Sequence, residues 1–299
     1  MLKDIQYPDS GEYRTGSKNE PYQFYLEALL NSKSIDLLLG YFSSSAINIL
    51  SEGFAYFLYN GGKVKMIINH ILNEKDYNLL QEVDAGNVSD YASYLENFEL
   101  LNITLDEYGQ HFFKCLAWLI QTKRIEIVVV KPLMGNGIAH YKSGIFNDLE
   151  NKVKFKASCN FTAFGLLENL EELEVKLSWD GLKEQKAIDE YQEYFNEIFD
   201  KKVSFLKYVK NSDIIINEIR ERFGNYSIKY LIDESKKLRQ KKKRFLTENC
   251  KEIITKIENE IDNDVTQPKF PYDSGPRNYQ LLAYNNETFK LQSKTTTSS

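Results

Sequence analysis

The stretch HYKSGIFNDLENKVKFKAS, residues 140–158, decides the fold of this chain. It contains two runs in which apolar and polar residues alternate, His140 to Phe146 and Lys152 to Ser158, around a polar turn at residues 147–151. Alternation with a period of two is typical of β-strands that bury one face, so the stretch predicts an antiparallel hairpin. Such a hairpin returns Asn160, just past its second strand, to the side of His140 and Lys142.

The preceding part of the chain predicts a βαβ unit. Ser34 to Gly40 forms a short apolar strand, Ala46 to Tyr59 has helical periodicity, and Lys63 to Ile68 forms the next strand after the pair Gly61-Gly62. Two strands joined through a helix pair in parallel with a right-handed crossover. We therefore expect a mixed sheet, with parallel strands here and antiparallel strands in the hairpin.

The rest of the chain extends the α/β prediction. Residues 74–122 are mostly helical in pattern, and further strands are predicted at 125–130 and from Glu172 to Ser178, followed by an amphipathic helix from Leu182 to Asp200. From residue 206 to 263 the pattern indicates two or three helices, and Pro268, Pro271 and Pro276 then interrupt regular structure. We expect a main domain over 1–205, a helical region over 206–265 and a proline-containing tail over 266–299.

His140 and Lys142 have a spacing that suits phosphate chemistry. Residues two apart on a β-strand point to the same face, so an imidazole there can attack a phosphate while the neighbouring ammonium holds the phosphate's charge. Ser158-Cys159-Asn160 and then Glu171 follow in order. This ordered set resembles the signature of the phospholipase D superfamily, H-x-K, then G-S-x-N, then an acidic residue, and most closely its nuclease branch.

The resemblance covers roughly residues 20–180 and includes GYFSSS at 40–45, GGKV at 61–64, ASCNFTAFG at 157–165 and the stretch from Asn169 to Trp179. It implies a phospholipase D-like nuclease domain with a C-terminal helical appendage, of the kind fused to superfamily 2 helicases and restriction endonucleases. Three positions depart from the pattern. Ala157 replaces a glycine, Phe161 stands where these nucleases often have an acid, and Asn147, followed by Asp148, replaces an aspartate.

The resemblance also implies a role for each residue of the motif. His140 attacks phosphorus to give a phosphohistidine, while Lys142 and Asn160 bind the phosphate oxygens and Ser158 adds a hydroxyl donor. Glu171 orients the imidazole. Because one motif supplies one histidine and the leaving group needs a second, the resemblance implies a homodimer with one composite site. No metal or other cofactor is needed.

Composition sets broader limits on the protein. The 299 residues carry a net charge of −5, and no apolar run approaches the roughly 20 residues that a membrane span requires. The first residues lack a secretory apolar region, and Cys115, Cys159 and Cys250 are scattered without a CxxC pair, which favours reduced, cytoplasmic conditions over disulfides or a zinc cluster. We expect a structural role for His70, and no chemistry from His111, which we place at the start of a helix ending at Gln121.

A strongly basic run, KKLRQKKKR at 236–244, lies in the helical region. It is either the solvated face of a helix or a contact to the DNA backbone through Lys241, Lys242 and Lys243. We expect the abundant Tyr and Phe residues to lie mainly in the core, since they fall within apolar periodic segments.

The tail carries PRNYQLLA at 276–283, which resembles the R-x-Y-Q element before the nucleotide-binding loop of superfamily 2 helicases. No GxxxxGK[ST] follows, so we expect a truncated or dissected nuclease–helicase, with a chance match as the alternative.

Together these patterns predict a metal-independent phosphodiesterase, an endonuclease that cleaves DNA in restriction or phage defence. The first alternative is a nucleic-acid-binding module with weak or lost catalysis that acts with a helicase partner. A lipid-directed phospholipase is disfavoured because the chain shows no signal peptide, no second H-x-K and no membrane-seeking segment.

Overall fold

The computed structural model describes residues 1–41, 47–70, 107–133, 142–157, 172–208, 212–242 and 246–263. It contains two compact units, Met1–Asn259 and Glu260–Ser299, and the second is described only up to residue 263. The described strands are β1 (Glu12–Arg14), β2 (Ser34–Tyr41), β3 (Lys63–His70), β4 (Ile125–Pro132), β5 (Lys142–Asn147), β6 (Lys152–Ala157), β7 (Glu172–Leu177) and β8 (Leu206–Tyr208). The described helices are α1 (Pro21–Asn31), α2 (Ile47–Tyr59), α3 (Glu107–Gln121), α4 (Leu182–Phe199), α5 (Ser212–Phe223), α6 (Ile228–Lys242) and α7 (Glu248–Asn263).

The strands form one mixed sheet in the order β1-β7-β6-β5-β2-β3-β4-β8. The pairs β2–β3 and β3–β4 are parallel, and every other neighbouring pair is antiparallel. The predicted α/β class, the βαβ unit and the β5–β6 hairpin are therefore confirmed. Sequence patterns did not predict β1, α1 or β8.

Two predicted boundaries were wrong in ways that have a physical cause. Helix α3 begins at Glu107, so His111 lies in its second turn and is fully buried instead of opening the helix. Strand β5 extends to Asn147, which pairs with both Ser34 and Lys152, so the hairpin turn is residues 148–151. Ladder hydrogen bonds on both sides hold Asn147 in the sheet although its side chain is typical of turns.

One face of the sheet packs on α1 through buried aromatic rings. Phe24 of α1 lies 5.7 Å from Phe146 of β5, centroid to centroid, and Tyr25 lies 5.3 Å from Phe155 of β6. The predicted core role of the aromatic residues is confirmed for these rings. Gly144 lies between them, and a Cβ added there would stand 2.5 Å from the carbonyl oxygen of Asp36 and 2.8 Å from the Phe155 ring.

The other face of the sheet is covered by α4. Phe195 and Ile198 pack with Leu38, Ile67, Val128, Val130 and Leu206 in a buried cluster. Polar contacts continue the packing toward β5, where the Ser143 and Tyr191 hydroxyls lie 2.7 Å apart. Gln192 donates to the Asp36 carboxylate at 2.7 Å, and burial raises the pKa of Asp36.

Helices α5 to α7 pack on α2 and α3, and partly buried polar contacts join α6 and α7 to these helices. Glu258 of α7 accepts from Tyr56 of α2 and from Arg239 of α6, each at 2.8 Å. The buried ring of His111 lies 2.7 Å from Glu234 through Nδ1 and 2.7 Å from Ser235 through Nε2. The helical appendage is thus confirmed, and the proposed divisions at residues 205 and 265 remain predictions.

We predict that Gly144→Ala lowers the free energy of unfolding by about 1–3 kcal/mol, because the added methyl overpacks the Phe155 ring and the Asp36 carbonyl. Chemical denaturation measures the change. Lys156→Ala on the adjacent strand is the control, since its exposed side chain predicts a change within about 0.5 kcal/mol. Equal stabilities for the two variants would contradict the close packing at Gly144.

We predict that the Glu234 contacts stabilise the protein above acidic pH. Burial acts to raise the pKa of Glu234, but hydrogen bonds from His111 and Lys114 outweigh it and lower the pKa from 4.5 to about 2. This stabilisation is complete above pH 4.5 and is lost as the pH falls toward about 2. In denaturation curves, the stability difference between wild type and Glu234→Gln therefore shrinks over that interval. The exposed Glu248→Gln serves as the control, with only a small difference in stability expected because its ion pair lies at the surface.

Candidate functional site

The described ends of six strands meet at one end of the sheet, which we call the candidate end. Strands β2, β3 and β4 finish there at Tyr41, His70 and Pro132. Because β5 is antiparallel to β2, its first residue lies at the same end, opposite Leu39. Strand β6 ends and β7 begins there as well, at Ala157 and Glu172.

Lys142 is the predicted catalytic residue that the structure describes. It is the first residue of β5, it is half-buried, and it pairs with the buried Leu39 of β2. Leu39 is paired in turn with Ile68 of β3, and Ile68 with Val129 of β4, so these four residues form one row across the sheet. Paired residues share a face, so Lys142 lies on the same face as Phe146 and Phe155, the face that packs on α1.

The other predicted site residues of the motif, His140, Ser158, Asn160 and Glu171, lie outside the described residues, as do Phe161 and Lys243. The described residues that lie next to the motif residues in the chain are all at the candidate end. Lys142 follows His140 by two residues, Ala157 precedes Ser158, and Glu172 follows Glu171. His70, for which a structural role was predicted, ends β3 and pairs with Tyr41 in the register.

Asn147 and Asp148 lie at the opposite end of the sheet. Asn147 is five positions from Lys142 along β5, about 17 Å at the usual rise. Asp148 accepts the backbone N–H groups of Leu2 and Asn151, each at 2.7 Å. Burial acts to raise the pKa of Asp148, but these hydrogen bonds hold it below its ordinary value. Asp148 therefore closes the hairpin turn and attaches it to the first residues of the chain.

A shallow pocket of about 280 Å³ opens beside the ends of β6 and β7. Arg14 of β1 lines it and pairs with Glu12 at 2.8 Å and with Glu172 at 3.1 Å. The remaining lining residues are Lys156, Ala157, Leu173 and Glu174. Sequence analysis missed this pocket because the three residues of β1 carry no strand signal, and only pairing with β7 orders them.

Three cations of the basic run are paired within the protein. Lys236 and Arg239 contact Glu258 at 3.1 Å and 2.8 Å, so these two side chains stabilise the packing of α6 on α7. Lys241 forms an ion pair with Glu107, the first residue of α3. The Lys242 side chain is not among the described ones.

Lys241 lies on the side of the candidate end. Helix α3 leads into β4, whose first residue is at the opposite end of the sheet, so its 15 residues run back over about 22 Å. Glu107, and Lys241 with it, therefore lies toward the end where Lys142 begins β5. The predicted DNA contact of Lys241, Lys242 and Lys243 stays a prediction.

The contact between His111, Glu234 and Ser235 has the order of a hydrolytic triad, with a hydroxyl, an imidazole and a carboxylate in series. Ser235 and His111 are both 0% exposed, so no substrate reaches the hydroxyl. We assign this group to helix packing. Across the described ranges no cluster of three or more His, Cys, Asp or Glu side chains is arranged to hold a metal ion, and no helix is long and apolar enough to cross a membrane.

The fold is similar to several solved structures at low identity. Nuc, a phospholipase D family member from Salmonella typhimurium, is 14% identical with a TM-score of 0.37, over 66% of this chain and 95% of that one. NucT from Helicobacter pylori is 16% identical with a TM-score of 0.33, over 61% and 92%. Polyphosphate kinase from Porphyromonas gingivalis is 11% identical with a TM-score of 0.37, over 88% and 30%.

No protein-family profile matches the chain, and no curated protein matches it. TM-scores of this size establish neither a family nor an activity.

We predict that Glu107→Gln strengthens nucleic-acid binding, because it releases Lys241 from its ion pair. If Lys241 then contacts one more phosphate, the slope of log affinity against log salt steepens by about 0.9. Fluorescence anisotropy over a salt series measures this. Glu190→Gln is the matched control, since it removes an equal charge from an exposed ion pair on α4. Equal slopes for the two variants would contradict a role for Lys241.

Proposed function

We propose that this protein is a metal-independent phosphodiesterase, an endonuclease that cleaves DNA through a phosphohistidine intermediate. One observation carries the proposal. Sheet topology brings the start of β5, the end of β6 and the start of β7 to one end of the sheet. These are the three points of the chain that adjoin the predicted motif residues.

Chain connectivity supports the proposed site. His140 is two residues from Lys142, which limits the separation of their Cα atoms to about 7 Å. Asn160 is three residues from Ala157, a limit of about 10 Å, and Glu171 directly precedes Glu172. These limits are consistent with a proposed site at the candidate end that draws on residues up to 31 positions apart in sequence, from His140 to Glu171.

In the proposed reaction His140 attacks phosphorus as the neutral imidazole, and the P–O bond to the leaving alkoxide breaks. Lys142 and Asn160 hold the non-bridging oxygens, with Ser158 as a further donor. Glu171 hydrogen-bonds the imidazole and stabilises its charged form. A second imidazole protonates the leaving oxygen and then activates the water that hydrolyses the intermediate.

The second imidazole is the reason we propose a homodimer. The chain has three histidines. His111 is fully buried against Glu234 and Ser235, and we expect a structural role for His70, which ends β3. His140 of a second copy supplies the acid if two chains meet around a twofold axis. The active form is then a dimer with one composite site.

The proposal extends to partners and biology. DNA is the favoured substrate because Lys241 of the basic run lies toward the candidate end, although the net charge is −5. The helicase-like element at 276–283 supports action with a helicase domain or partner, in restriction or phage defence. We place the protein in the cytoplasm on its scattered cysteines.

A second candidate is a nucleic-acid-binding module with weak or lost catalysis. Phe161 favours it, because these nucleases often carry an acid there. Ala157, which stands in place of a glycine, does not favour lost catalysis. It is the buried last residue of β6, and its methyl group fits in the sheet there.

Cleavage of plasmid and oligonucleotide DNA in excess EDTA tests the proposal. We expect cleavage by the wild type and a loss of at least about 10³-fold in His140→Ala and Lys142→Ala, because each removes a group that acts on the phosphate. Lys152→Ala is the control, since Lys152 lies in the same hairpin at the opposite end of the sheet. It should retain full activity.

Sedimentation of the same preparations tests the dimer. A fully active monomer would contradict the composite site. DNA binding without cleavage in the wild type would favour the second candidate.

A further inference from the structure

Two large apolar side chains stand exposed beside each other at the candidate end. Leu133, just past β4, is 56% exposed, and Phe205, just before β8, is 57% exposed. The Leu133 N–H donates to the Phe205 carbonyl at 2.9 Å, which continues the pairing of Pro132 with Leu206. Directly opposed residues of an antiparallel pair have their side chains on the same face, so the two side chains are neighbours.

The turn that carries Phe205 is held by hydrogen bonds. The Val203 N–H donates to the Tyr208 hydroxyl at 3.2 Å, and the Lys201 N–H donates to the Ile198 carbonyl at 3.0 Å. Leu206 and Tyr208 pack into the buried cluster beneath α4. The aromatic ring of Phe205 is therefore presented outward by an ordered segment, and little conformational freedom is lost when a partner covers it.

The segment that carries Phe205 is rich in lysine. Lys201, Lys202 and Lys207 are all exposed, and Asp200 is the single acidic residue between positions 200 and 208, where it pairs with Lys202 at 2.8 Å. A second copy of the chain is a poor partner for this surface. A twofold contact centred here would bring these lysines close to the same lysines of the other copy, and like charges repel. An exposed aromatic ring among lysines instead complements the bases and phosphates of a nucleic acid.

This surface lies on the same face of the sheet as Lys142. The row from Lys142 through Leu39 and Ile68 reaches Val129 of β4, and Leu133 is four residues further along. Three strand spacings and four residues of rise place Leu133 about 20 Å from Lys142. About six stacked nucleotides cover that distance, and fewer do so when the strand is extended.

We propose that Leu133 and Phe205, with Lys201 and Lys207, form a platform for single-stranded nucleic acid, with one base stacked on the Phe205 ring and adjacent phosphates on the lysines. This inference rests on the proposed function and adds the strandedness of the substrate. Bases of a duplex are already stacked on their neighbours, so the ring contributes only where a base is unpaired.

Binding of the full chain to a labelled 20-nucleotide single strand, and to the matching duplex, tests the platform. Phe205→Ala should weaken single-strand binding by about 5- to 150-fold, the loss of one stacked base, and leave duplex binding unchanged. Phe205→Leu keeps an apolar side chain and should lose nearly as much, whereas Phe205→Trp should restore binding. Leu182→Ala, an exposed apolar residue at the start of α4, is the control with no change expected.

Hydrolysis of a small chromogenic phosphodiester, which is too short to reach Phe205, separates the two proposals. Retained hydrolysis in every Phe205 variant with selective loss of single-strand binding supports the platform. Equal affinity of wild type and Phe205→Ala for the single strand overturns the platform and leaves the proposed function standing. Conversion of a dimer to a monomer by Phe205→Ala also overturns it and assigns the surface to a second copy. Absent hydrolysis in the wild type contradicts the proposed function, and the platform is then judged by the single-strand and duplex affinities alone.

Discussion

Strand β2 is hydrogen-bonded in parallel to β3 on one side and antiparallel to β5 on the other, and the rest of the architecture depends on this double pairing. The parallel side brings the carboxyl ends of β2, β3 and β4 together, and the antiparallel side brings the first residue of β5 to the same place. Gly144 permits the approach of β5 to β2, because its missing side chain leaves room for the Phe155 ring and the Asp36 carbonyl. A side chain there would disturb the strand that carries Lys142.

Partly buried polar contacts attach the C-terminal helices to the α/β core. Glu258 joins α7 to Tyr56 and Arg239, and Thr247 donates to Glu27 of α1 at 2.8 Å. Breaking a buried pair by removing one partner leaves an uncompensated charge, so these contacts fix the geometry strongly even where their net stabilisation is small. The cationic residues of α6 therefore have two different environments. Lys236 and Arg239 hold it in place, while Lys241 lies nearer the end of the sheet where the motif begins.

Local patterns predicted the elements whose own residues carry the signal. The alternation around Val153 and Phe155 predicted the hairpin, and the apolar run from Ser34 with the periodic helix after it predicted the parallel unit. β1 and β8 have three residues each and are ordered only by β7 and β4, so no local pattern marks them. Lys142 was expected within a strand from His140 to Phe146, and it is the first residue of β5. The roles of His140, Ser158, Asn160 and Glu171 come from a resemblance and remain predictions. The Glu107–Lys241 pair joins residues 134 positions apart, which no local pattern encodes.

The pairing of β1 with β7 has a consequence for the way the chain folds. Tyr13 lies opposite Leu173, so β1 has no partner until 160 further residues have been synthesised. The β2–α2–β3 unit, by contrast, spans 37 residues, so β2 and β3 can pair soon after they are synthesised. Because long-range pairings form late and at a higher cost in chain entropy, the nascent chain first completes the parallel half of its sheet. The half that begins with Lys142 is added afterwards, and β1 closes over it as one of the last strands to pair.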